Sequence, residues 1–83
     1  MRLAITYDLG DGDRTVTVSP FAIIGYEREH RTKISKLATD GIGLGDMAEL
    51  AWRQLQLENS YAGELDAFER QLVDVTIAVS DPT

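Results

Sequence analysis

The sequence predicts an α+β fold in which an N-terminal β-hairpin and a C-terminal strand form one small sheet packed against three to four helices. Three observations lead there. Apolar residues alternate with polar ones at both ends of the chain, as Leu3, Ile5 and Tyr7 near the start and Val73, Val75, Ile77 and Val79 near the finish, which is the period of a half-buried strand. Between those ends, the stretch 44–58 carries the longest run of helical periodicity and the single tryptophan. The 83 residues suffice for one such unit, so 1–83 is read as a single domain near the lower size at which a core forms unaided.

Taken in order, Arg2 to Asp8 is the first strand. Leu9-Gly-Asp-Gly-Asp13 supplies the glycine and aspartate that tight turns prefer, and Arg14 to Ser19 alternates again with Val16 and Val18 apolar, closing a hairpin. Ser19-Pro20 is a helix start, because the serine oxygen can cap free amides and the proline has no amide to leave unpaired. The helix runs from Phe21 to about Arg31, with Phe21 and Ile24 on one side and Ile23 and Tyr26 on another. Such a helix is either sandwiched or half exposed at a working surface. Thr32 to Leu37 reads as a further short helical turn, ended by Thr39-Asp40-Gly41, and Gly41-Ile-Gly-Leu-Gly45 as a hinge-like link. Asn59 to Gly63 breaks the periodicity, Glu64 to Gln71 is a short helix carrying Leu65, Phe68 and Leu72 inward, and the residues from Val73 onward form the third strand.

The helix over 44–58 organises the rest. At roughly 100° per residue, Leu44, Met47, Ala48, Ala51 and Leu55 share one stripe, with Trp52 on one edge and Leu50 and Leu57 on the other. Asp46, Glu49, Arg53 and Gln56 are left to face water, and Asp46 lies where the helix dipole favours a carboxylate. The apolar arc is about twice the roughly 100° of a one-sided surface helix. It is therefore expected to pack on more than one side, either as the central helix of a small domain or as a helix that also serves a partner.

Fourteen acidic residues against eight Lys and Arg give a net charge of −6, which argues against nucleic acid and anionic lipid as partners. A protein partner is the better expectation. No cysteine is present, so disulfides and thiolate metal sites are excluded as staples. Neither a signal peptide nor a run near the ~20 apolar residues of a membrane span is seen, so an intracellular soluble protein is expected, with no membrane partner.

No motif carries chemistry. Asp8, Asp11 and Asp13 invite a calcium loop, but counting from Asp11 the fifth position is Thr15 and the twelfth Ala22, which fails the EF-hand pattern. Gly41-x-Gly-x-Gly45 lacks the preceding strand and the spacing of a dinucleotide fingerprint, and no Gly-Lys-Ser/Thr follows it. His30 has no nucleophile motif around it, so no enzyme, metal or cofactor is predicted. One basic cluster, Arg28, Arg31, Lys33 and Lys36 with His30, stands against the acidic background. It reads as a solvated face balancing the acidic residues 64–74, or as an electrostatic docking patch for an acidic protein, including another copy of this chain.

The order Ser19-Pro20-Phe21, Ile24-Gly-Tyr-Glu-Arg28, Gly43-Leu-Gly-Asp-Met-Ala-Glu-Leu-Ala-Trp52 and Phe68-Glu-Arg-Gln-Leu-Val-Asp-Val75 resembles the small tail assembly chaperones of long-tailed, siphovirus-type phages and prophages of the lambda and HK97 kind. The resemblance covers Val18 to Val75 and rests on order and spacing more than on any one motif. It implies a non-catalytic protein of the host bacterium's cytoplasm that is absent from the mature virion. Such a protein binds the tape measure protein, keeps it soluble and helps recruit the tail tube protein, and in that family a longer form arises by programmed frameshifting. For such a role Phe21, Ile24, Trp52 and Leu55 are the candidate anchors, Glu27 and Arg28 fix the first helix or pair between copies, and Arg31, Lys33 and Lys36 serve possible self-association into a homo-oligomer. Alternatives are a small phage-encoded adaptor or inhibitor of a host protein and a minor structural subunit of the virion.

Overall fold

The computed structural model describes residues 2–80, in the order β1 (Arg2–Asp8), β2 (Asp13–Val18), α1 (Pro20–His30), α2 (Ile34–Asp40), α3 (Leu44–Leu57), α4 (Leu65–Gln71) and β3 (Asp74–Ser80). This is the predicted α+β arrangement of hairpin, helices and returning strand. The sheet order is β2-β1-β3 with both pairings antiparallel, so the first strand is the central one. Its register puts Val18, Leu3 and Val79 in one row and Val16, Ile5 and Ile77 in the next, all on the face that meets the helices. The opposite face carries Ala4, Thr17 and Ala78, then Thr6, Thr15 and Thr76. The alternation seen in the sequence is thus the two faces of one sheet.

The hairpin turn is organised by Asp8, whose Oδ1 accepts from the Gly10 and Gly12 amides at 2.7 and 3.3 Å. Both glycines have φ above +100°, which an L side chain resists. Asp11 instead pairs with Arg14 at 2.5 Å. Asp8 and Asp11 therefore shape a turn, and Asp13 is the first residue of β2.

Ser19 caps α1 as its sequence predicts, accepting from Ala22 N at 3.4 Å, with Pro20 in the first turn. Gln54 of α3 supplies an unforeseen anchor: it is buried, and its Oε1 accepts from Ser19 N at 2.9 Å while its Nε2 donates to Glu58 at 2.7 Å. The entry to α1 is thereby tied to the middle of α3. The second helix starts at Ile34, two residues later than the sequence suggests, and buries Ile34 with Leu37 packed against the core.

Under the sheet, Ala48, Leu50, Ala51 and Leu55 of α3 join Leu3, Ile5, Val16 and Val18, and Phe68 of α4 is wholly buried. Phe68 lies 5.6 Å from the ring of Tyr7 and 5.3 Å from that of Tyr61, in tilted and edge-on arrangements that aromatic pairs prefer. Two apolar expectations fail at element ends. Val73 precedes β3 and is 69% exposed, because its N–H turns to the Asp8 carbonyl at 2.8 Å and leaves its side chain outside. Leu44 and Leu57, the terminal residues of α3, are also exposed.

Candidate functional site

The site begins with the way α1 lies on α3. Tyr26 is 1% exposed, and its hydroxyl donates to Asp46 Oδ1. One turn on, His30 stacks against Tyr26 with centroids 4.4 Å apart, and its Nε2 sits 2.9 Å from each carboxylate oxygen of Glu49. Arg53 Nε donates to that same carboxylate at 2.9 Å, in the favourable i,i+4 order. The reading of Asp46, Glu49 and Arg53 as a water-facing side is therefore corrected: α1 covers it. Gln56 is corrected too, since its Nε2 donates to the carbonyls of Tyr61 at 2.6 Å and Gly63 at 3.0 Å. A helical wheel gives the polarity of a face but not the identity of the neighbour that meets it.

Burial, then the hydrogen bond to Asp46 and its charge, push the Tyr26 hydroxyl well above the ordinary 10.0. A group raised in the folded state contributes stability that is complete below its unfolded pKa and is lost as pH climbs from there towards the folded value. The expected result is a chain whose stability to urea drops above about pH 10, with Tyr26→Phe removing that component of the drop. An alkaline limb of equal size in both proteins would refute it.

With Tyr26 and Ala22 turned inward, α1 presents Phe21, Ile24 and Arg28 outward, spaced i, i+3 and i+7 along one stripe. Phe21 is 72% exposed. Across from it stand the half-buried Trp52 and the exposed Leu57 of α3, and between the helices runs an open groove of about 250 Å³ lined by Phe21, Ala22, Gly25, Trp52, Arg53 and Leu57. Gly25 adds no side chain to this lining, and a Cβ there would approach Arg53 Nη1 to 3.1 Å. Trp52 is held from behind, its Nε1 donating to Gly63 O at 3.0 Å. The groove's open and mostly apolar lining suits apolar side chains entering from another polypeptide.

The predicted residues divide accordingly. Phe21 and Trp52 line the groove, and Ile24 stands one turn further along α1. Leu55 is corrected: it is 6% exposed and belongs to the core, so it cannot serve as an anchor. Glu27 fixes the first helix, the first of its two expected roles: its Oε2 accepts from Ile34 N at 2.8 Å and ties α1 to α2. Arg28, Arg31, Lys33 and Lys36 are exposed around the corner between these helices and make no ion pair among the described residues. They form no ion pair with the acidic residues 64–74, where Arg70 pairs with Asp66 at 3.2 Å.

A second apolar patch went unforeseen. Leu44, Leu72 and Val73 surround a shallow groove of about 310 Å³ with Glu69 and Asp74 on its rim. The adjacent pair Leu72-Val73, at a helix-to-strand connection where only one of two neighbours can point inward, was the available signal. Among the described residues no cluster of three or more His, Cys, Asp or Glu side chains could hold a metal ion, and no helix is long and apolar enough to cross a membrane. The chain matches no family model, no curated protein and no solved structure.

Proposed function

We propose that this protein is a non-catalytic tail assembly chaperone of a long-tailed phage or prophage. In this reading it binds the tape measure protein in the host cytoplasm, keeps it soluble, helps recruit tail tube subunits and leaves before the virion is complete. The observation that carries the proposal is the exposed apolar strip of Phe21, Ile24 and Leu57 beside a groove floored by Gly25 and Trp52. An amphipathic helix docks on such a strip through anchors repeating every three to four residues. The net charge of −6 suits the role, because it keeps a complex with an apolar client dispersed.

Co-expression with the tape measure protein encoded nearby tests this. The chain is expected to hold that client in the soluble fraction, and Phe21→Asp to return it towards the level seen without the chaperone. Because Phe21 is largely exposed, the variant's own stability should change by less than about 0.5 kcal/mol. Equal rescue by the variant would remove the strip as the binding surface. No rescue by the unaltered chain would leave the adaptor or inhibitor reading, and its presence in purified particles would favour a structural subunit.

A further inference from the structure

We infer that the segment this surface takes is an amphipathic helix carrying acidic residues about two turns beyond its apolar anchors; the inference rests on the docking reading above. The outward stripe of α1 changes character along its length, from Phe21 and Ile24 to Arg28, with Arg31 just past the helix end. Seven residues of helix separate Phe21 from Arg28, or about 10 Å along the axis. A helix lying beside α1 with its apolar side chains against Phe21, Trp52 and Leu57 therefore places a residue some seven positions away opposite Arg28. A carboxylate at that place meets a guanidinium built for it.

The charge pattern selects this occupant. The chain has six more acids than bases, and of the four Lys and Arg outside the cluster, Arg14, Arg53 and Arg70 each have a carboxylate partner, at 2.5, 2.9 and 3.2 Å. Arg28, Arg31, Lys33 and Lys36 stand together with none among the described residues. A second copy could offer the patch of Leu44 and Val73 with its acidic rim. It would also bring its own charge of −6. A separate helix with a few acids at one end meets the cations without that repulsion.

Two labelled peptides of about 20 residues, long enough to be helical, test the inference. They share one leucine stripe, and seven positions along it one carries glutamates and the other lysines. Fluorescence anisotropy should show the glutamate peptide binding the protein about tenfold tighter at low salt, the gap narrowing as salt screens it. Arg28→Glu with Arg31→Glu should invert the preference, and Arg28→Gln alone should reduce it; the Trp52 thermal transition checks that each variant is folded. Equal binding of both peptides overturns acid recognition and leaves the docking reading standing. Binding of neither peptide to a protein that sediments as a monomer overturns both. A dimer that dissociates on reversal of Arg28 and Arg31 assigns the surface to a second copy and also overturns the inference.

Discussion

Replacing Phe68 with alanine is expected to cost about 3–5 kcal/mol of stability. The ring has no exposure at all and joins the sheet to the α3–α4 connection through Tyr7 at 5.6 Å and Tyr61 at 5.3 Å. Deleting it loses the transfer free energy of a large side chain and leaves a void that two fixed aromatic neighbours cannot easily fill. An 83-residue chain has roughly 4–12 kcal/mol in total, so the variant stands near its folding threshold. Urea unfolding followed by Trp52 fluorescence measures the loss, and Phe68→Leu, which retains most of the volume, should cost clearly less. A loss under about 1 kcal/mol for the alanine variant would show that α4 is not bound to the sheet through this ring.

Asp46→Ala should be the next most damaging change, at about 2–4 kcal/mol. One carboxylate does two jobs: Oδ2 accepts from the Gly43 amide at 3.2 Å at the start of α3, and Oδ1 accepts from the Tyr26 hydroxyl. Alanine forfeits the first, worth about 0.5–2 kcal/mol for a helix start. It also strands a buried phenol, at about 1–3 kcal/mol. The double variant Tyr26→Phe with Asp46→Ala should recover part of that second component, because no buried donor is then left without an acceptor. Thermal denaturation resolves the series, since each kcal/mol moves the midpoint of a domain this size by about 4–8 °C. Additive losses in the double variant would mean that the two side chains act independently.

The elements themselves were legible because their signals are local. Alternation at 2–8, 14–18 and 75–79, the Ser19-Pro20 cap and the apolar repeat of α3 each specify a conformation without reference to anything distant. The site was legible in part. Phe21 and Ile24 were separated from Tyr26 by helical angle alone, and that separation survives as exposed against buried. Leu55 was misplaced because its position on the apolar stripe says only that it is covered, not whether the covering comes from this chain or from another. Gln54 and the carboxylates of Asp46 and Glu49 were opaque for a related reason. A polar side chain is read as wet until its partner is known, and the partners Ser19, Tyr26 and His30 lie 35, 20 and 19 residues away.

The placing of β1 between β2 and β3 bears on how the molecule comes to be made. On the ribosome residues 2–8 are made before residues 74–80, and until the latter follow, one edge of β1 has no mate. In that interval the nascent chain holds an open row of amides and carbonyls, and the apolar side chains of Leu3 and Ile5 have no finished cover. Pairing β1 with β3 must bring residues 2–8 to residues 74–80 across everything between them, a long-range contact of the kind whose loop-closure entropy slows folding.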